Sequence, residues 1–216
     1  MKTFIQHDIP SLVQINESGG RLYKTPTGEK YPSVTTVVGL QSASKVQEWR
    51  KRVGNEEANK VSARASKRGS SVHSLCEHYL LDTPKEPEVW DKEMFNTLIP
   101  HLELINNIHC LEARLFSHRL KVAGTVDAIA EYDGKLCVID FKSSSKVKKK
   151  EWISNYFMQT AAYGMMFWEL TGIAIDEVCI IMGVDDHDAL IFQEPLRPWL
   201  EEFRNARRYY YDVKGI

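Results

Sequence analysis

The stretch GTVDAIAEYDGKLCVIDFK, residues 124–142, decides the fold. Two apolar, β-branched runs flank Asp133-Gly134, a dipeptide suited to a two-residue hairpin turn because both residues tolerate positive φ. With that turn Tyr132 opposes Lys135, and counting outward sets Asp127 opposite Asp140. Directly opposed β-carbons lie roughly 4.5–5.5 Å apart, so two carboxylates there repel unless positive charge stands between them. A divalent cation is the natural candidate, since hard cations take carboxylate oxygens as ligands. Side chains alternate along a strand, so Asp140 and Lys142 share a face and the ammonium lies beside such an ion. The competing reading makes both aspartates solvent-exposed strand residues. Against it, Asp is depleted in strands and both acids have apolar neighbours. Lys142 reads either as a plain partner for Asp140 or as a group that stabilises phosphate charge or orients water. Spacing does not separate those roles.

Working outward, residues 111–118, 122–132 and 135–142 predict strands, and 178–184 with 189–192 a second pair across Asp185-Asp186. Helical periodicity covers 44–68, with a break at Gly54-Asn55, and resumes over 71–81 after an interruption at Gly69. Further helices are expected over 88–108, with Pro100 a kink or boundary, over 151–171 ending at Gly172, and from about 198 to 211. Residues 1–40 read as strands and turns, punctuated by Gly19-Gly20 and Thr27-Gly28, while Pro84 and Pro87 mark a loop. This order predicts an α/β fold with a central mixed β-sheet flanked by helices. One domain is expected over 1–216: a β-rich extension (1–40), a core (44–171) and a C-terminal strand pair and helix (172–216).

A net charge of −1 excludes a global basic signature, so any nucleic-acid binding must come from local patches. No apolar run approaches the roughly 20 residues of a membrane span, so no membrane association is expected. The N-terminus lacks the features of a secretory or transit signal, which points to a cytoplasmic setting. Cys76, Cys110, Cys137 and Cys179 are widely spaced with no CxxC, which argues against zinc and iron–sulfur sites and for reduced core thiols.

Four further features bear on chemistry. His73 falls at the edge of an apolar helical stripe with Glu77 one turn on; such a residue is more often packing than ligand, although imidazole can complete a carboxylate site for Mg²⁺ or Mn²⁺. Gln159 and Tyr163, four apart, share a helix face, which by periodicity alone fits core packing. Basic residues cluster over 45–68, ending at Arg68, and again at Lys146, Lys148, Lys149 and Lys150, just past the hairpin. A charge run is usually a solvated face, but this one begins where a polyanionic strand would pass. Trp49, Trp152, Tyr156 and Phe157 lie near these runs as bases could stack on them.

Taken together, GxxxH (Gly69 to His73), GTVD (Gly124 to Asp127), D-x-K (Asp140 to Lys142) and QxxxY (Gln159 to Tyr163), in that order, resemble the RecB-like branch of the PD-(D/E)xK nuclease superfamily. Pro32-Ser-Val-Thr-Thr36 and the helix bearing Trp49 further resemble a group of exonucleases within that branch. The resemblance implies a restriction-endonuclease-like core and Mg²⁺- or Mn²⁺-dependent hydrolysis of DNA, exonucleolytic with single-stranded or free ends preferred. It implies that His73, Asp127, Asp140 and the Phe141 carbonyl hold the metal, with Asp127, Asp140 and Lys142 catalytic. Gln159, Tyr163, Lys146, Lys148, Lys149 and Arg68 would contact DNA or support the site. No iron–sulfur cluster is expected, and protein partners from replication or recombination stay unidentified. Glu112 precedes GTVD without an assignable role. The alternatives are a structure-specific or restriction-like endonuclease of the same superfamily, and an inactive nucleic-acid-binding protein.

Overall fold

The computed structural model describes residues 1–17, 20–83 and 85–215. The expected turn at Gly19 and the loop mark at Pro84 lie outside them. Two sheets are formed. A small antiparallel one joins β1 (Val13–Glu17), β2 (Gly20–Lys24) and β3 (Lys30–Pro32). The main sheet has the order β4 (Ile105–Ser117), β5 (Val122–Tyr132), β6 (Lys135–Ser144), β7 (Glu177–Val184) and β8 (His187–Pro195). Its neighbours are antiparallel except β6 and β7, which run parallel and therefore need a crossover. That crossover is a single 3₁₀ turn followed by α4 (Ser154–Thr171), closed by Gly172 in the left-handed region at φ 77°. The α/β fold with a central mixed sheet flanked by helices is as expected.

Helices cover both faces. On one, α4 and α5 (Leu196–Lys214) pack with the N-terminal turn of α1 (Val34–Val53) against Val126, Val138, Val178 and Ile180. On the other, α2 (Asn55–Leu80) and α3 (Lys92–Glu103) pack against Ala128, Ile139, Phe141 and Ile181. β5 and β6 are consequently buried on both sides, so an ionised group on either is held in low dielectric. The outer edge of β4 is partly covered by the N-terminal segment, whose Thr3 carbonyl and Ile5 N–H pair with Ile108.

Several boundaries differ from expectation. The strand-like run after Pro32 is helical from Val34. Ser33 caps it, its hydroxyl accepting the Thr36 N–H at 3.0 Å, and burial of Val34, Val37 and Val38 outweighs their β-propensity. The helix predicted to be interrupted at Gly69 runs through it, since a mid-helix glycine costs only about 1 kcal/mol. The helix expected to reach residue 108 ends at Glu103, and β4 begins at Ile105, where Ile105 and Ile108 are buried against α3.

Candidate metal and catalytic centre

The hairpin turn holds two residues, with Asp133 at φ 49° and Gly134 at φ 77°. Pairing runs from Tyr132↔Lys135 to Ala128↔Ile139 and stops one step before the acids meet. Beyond that point the Asp127 carboxylate replaces a backbone partner: its Oδ2 accepts the Phe141 N–H at 2.8 Å. Asp127 and Asp140 thus reach the same level of adjacent strands without forming the direct pair that the count predicted.

What stands near each acid differs. His73 on α2 brings Nδ1 to 3.3 Å from Asp127 Oδ1 and 3.8 Å from Glu112 Oε1. Ligand atoms of His73, Glu112 and Asp127 all lie within 4.8 Å of one another, as a shared cation requires. Asp140 is 1% exposed. Its Oδ1 accepts from Gln159 Nε2 at 3.1 Å, and its Oδ2 forms an ion pair with Lys142 Nζ at 2.5 Å but no well-directed hydrogen bond among the described residues. Lys142 also reaches the Phe141 carbonyl at 3.4 Å and lies 5.1 Å from the Tyr156 ring.

These surroundings set the protonation states. Burial disfavours the His73 imidazolium, yet the Asp127 charge and hydrogen bonds to Asp127 and Glu112 outweigh it and lift the pKa to about 10. Burial likewise disfavours the Asp127 carboxylate, but His73, Lys142 and the Phe141 N–H hold its pKa below the usual range. For Asp140 burial wins: despite Lys142, its pKa rises to about 6, with the Asp127 charge adding to the rise. Lys142 loses to burial and gains more from Asp140 and Asp127, so it stays an ammonium.

Glu112 and Asp127 face a cleft of about 650 Å³ lined also by His73, Glu77, Lys142, Tyr156, Gln159 and Tyr163, with Arg21, Tyr23, Ser33 and Thr35 from the N-terminal elements, and Asp140 lies buried behind its lining residues Lys142 and Gln159. His73, Asp127, Asp140, Phe141, Lys142, Gln159 and Tyr163 are therefore gathered in one place. Gly124 explains the tight fit of Tyr163: a β-carbon there would lie 2.8 Å from Tyr163 Cε1.

Other expectations fare differently. Arg68 does not line this cleft; it is committed to Asp185 at 2.6 Å in a neighbouring one, because its stripe of α2 faces the β7–β8 turn. Lys146, Lys148 and Lys149 lie outside the lining as well, on the segment after β6, where Lys149 sits 5.7 Å from the Trp152 ring. Phe157 is fully buried and stacked 4.8 Å from Trp199, so it offers no surface to a base.

Glu112 is the member that sequence reasoning left without a role. It occupies a left-handed conformation at φ 46° in β4, a strained state for a glutamate. Residues on either side of it change faces: Cys110 and Ala113 pack toward α4 while Leu111 packs toward α2. β5 makes the same reversal between Val126 and Ala128, which keeps the strands in register and turns both acids toward His73. Its level opposite Asp127 is the one signal that a strand count could have used.

No family model matches the chain. It is 31% identical to "Mitochondrial genome maintenance exonuclease 1" of Xenopus tropicalis over 146 residues, covering 61% of this chain and 42% of that protein. The human protein of the same name is 30% identical over 129 residues, covering 54% of this chain and 38% of its own length. The chain is a relative of a named exonuclease. It spans less than half the length of mitochondrial genome maintenance exonuclease 1 in either species. Among solved structures, a candidate exonuclease from Eubacterium rectale superposes with a TM-score of 0.48 at 14% identity, covering 70% of this chain and 67% of that one.

The donor set fits a divalent cation: carboxylate oxygens of Glu112 and Asp127, with Asp140 adjacent, suit a hard ion, and one imidazole suits Mn²⁺ better than Mg²⁺. No helix among the described residues is long and apolar enough to cross a membrane. All four cysteines are free and buried.

Proposed function

We propose that the chain is a Mg²⁺- or Mn²⁺-dependent deoxyribonuclease of the RecB-like PD-(D/E)xK type that shortens DNA from its ends, single-stranded ends preferred. The observation that carries this reading is one cleft floor on which His73, Glu112 and Asp127 share a cation-sized space while Lys142 stands on the buried Asp140. The similarity to mitochondrial genome maintenance exonuclease 1 supports it.

In this reading His73, Glu112, Asp127, Asp140 and the Phe141 carbonyl hold the ion. A bound divalent cation supplies Lewis acidity at the phosphate and a water of lowered pKa. Lys142, an ammonium when paired with Asp140, stabilises negative charge building on the scissile phosphate. Gln159 fixes the Asp140 carboxylate through the bond to its Oδ1, a positioning role that restrains the acid that would help hold the ion. Tyr163, packed against Gly124, seats α4 on β5. Arg21, at the cleft wall, offers a cation to a flanking phosphate. Lys146, Lys148 and Lys149 would meet the strand beyond the cleft. The setting we infer is DNA replication, recombination, repair or phage DNA metabolism in a cytoplasm.

The test uses end-labelled linear single- and double-stranded DNA with Mg²⁺, Mn²⁺ or EDTA, beside a circular single strand. The expected outcome is metal-dependent loss of the linear single strand to short products, with the circle spared. Cleavage of the circle would move the assignment to an endonuclease. Undiminished activity in purified Asp140→Ala and Lys142→Ala proteins would overturn the site.

A further inference from the structure

The helix that carries His73 walls a second cleft on its neighbouring face. Arg64, Lys67 and Arg68 fall on one stripe of α2, while Gly69, Ser70 and His73 face the carboxylate cleft. The second cleft, about 470 Å³, is completed by Trp90, Glu93 and Asp186. Trp90 is 49% exposed, unusual for the largest side chain, and it is not on a loose loop. The next residue, Asp91, is 1% exposed and takes a hydrogen bond from Ser71 of α2, which anchors the indole against the helix. Lys67 Nζ lies 4.9 Å from the Trp90 ring centre. Arg68 is held by Asp185 at 2.6 Å, which leaves Arg64 and Lys67 as the cations of this wall without an ion pair among the described residues.

An exposed, anchored indole beside aliphatic-stemmed cations is the combination that binds single-stranded nucleic acid, base on ring and phosphate on ammonium. The acids Glu93 and Asp186 make the cleft a poor seat for a bare phosphate, but they can accept from the amino group of a base. Along α2, Arg68 and Arg64 precede His73 by five and nine residues. At ~1.5 Å per residue that is roughly 7–14 Å, or about two to four stacked nucleotides at ~3.4 Å each.

We infer that this second cleft is a holding subsite for single-stranded DNA, in which a base stacks on Trp90 and Arg64 and Lys67 take its flanking phosphates, a few nucleotides from the scissile bond. The inference rests on the nuclease reading of the carboxylate cleft. It gives that reading a structural source for a preference for single strands, because a paired base cannot reach the indole.

The test is fluorescence anisotropy with a dye-labelled deoxycytidine 12-mer in EDTA, together with steady-state cleavage of the same oligomer in Mn²⁺. Trp90→Ala is expected to weaken binding about tenfold or more and to raise KM with kcat unchanged. Trp90→Phe keeps a stacking face and is expected to retain most of the affinity. An Arg64→Ala, Lys67→Ala double variant carries the test if Trp90→Ala fails to fold, and is expected to lower the salt dependence of binding by about two phosphate contacts. Wild-type affinity in these variants, with the oligomer still cleaved, overturns the subsite alone. A wild-type protein that neither binds nor cleaves the oligomer overturns the nuclease reading along with it.

Discussion

Asp127 and Asp140 are the same residue on adjacent strands at the same level, and the fold gives them opposite electrostatics. Asp127 lies at the α2 side of the sheet, where an imidazolium and a backbone N–H favour its charge and depress its pKa. Asp140 points to the α4 side, where burial outweighs the pull of Lys142 and raises its pKa to about 6. The signs follow. A depressed carboxylate contributes stability above its unfolded pKa, lost as pH falls through the folded value. A raised one contributes below its unfolded pKa and loses that as pH rises through about 6. The metal-free protein is thus stabilised by one acid and strained by the ionised form of the other. The strained one is the acid that a cation would relieve.

The sharpest way to break this comparison is to neutralise each acid in turn. Asp127→Asn and Asp140→Asn should both reduce cleavage by about 10³-fold or more, since each removes a charge from the ion's surroundings. Their stabilities should diverge. In EDTA, Asp127→Asn leaves His73 without its main counter-charge and should cost about 3 kcal/mol in urea unfolding. Asp140→Asn takes a partner from Lys142 but leaves it the Asp127 charge, and it relieves an unfavourable ionisation, so it should cost less. Equal losses would mean that the two environments are not distinct.

Gln159 isolates the α4 side. Gln159→Ala removes the donor to Asp140 Oδ1 and should lower cleavage by about 10- to 100-fold, with the second carboxylate ligand set otherwise intact. A wild-type rate would show that Lys142 alone orients Asp140.

The α2 side is tested by pH. With its pKa at about 10, His73 carries a proton across the neutral range, and a cation must displace it. Apparent Mn²⁺ affinity should therefore rise about tenfold per pH unit from about pH 7 to 9, with proton release on binding. Calorimetric titration at two pH values reads this directly, and a flat response would remove His73 from the ligand set.

The contrast between the two sides also marks what could be read from sequence. The hairpin register was legible because Asp133-Gly134 accepts positive φ at both positions, which fixes the turn at two residues and so sets the pairing outward from Tyr132 and Lys135. His73, Gln159 and Tyr163 could be located on helices, but only the folded chain shows that Gln159 serves Asp140 while His73 serves Asp127. Glu112 stayed without a role because a left-handed glutamate within a strand has no propensity signature. The place of Arg68 was hidden for a related reason: a basic run does not reveal that Asp185, 117 residues later, will claim one member. Long-range partners of this kind are set by packing, not by local pattern.

Gly124 gives the smallest and most local test, since it holds the two sides at a fixed spacing. A β-carbon at this position would lie 2.8 Å from Tyr163 Cε1 and 2.9 Å from its hydroxyl oxygen. Tyr163 is 3% exposed and one helical turn from Gln159 on α4, so its ring cannot swing into solvent. Gly124→Ala should therefore push α4 from β5 at a cost of about 1–2 kcal/mol. It should also loosen the Gln159–Asp140 contact while sparing the His73–Asp127 pair. Cleavage should fall, while the pH dependence of Mn²⁺ binding, which reports the α2 side, should keep its slope. Adding Tyr163→Leu to Gly124→Ala should return part of the lost stability, giving a favourable coupling in a double-mutant cycle. Simple additivity of the two changes would show that the glycine is there for some reason other than the tyrosine, and that α4 does not depend on this contact to hold Gln159 over Asp140.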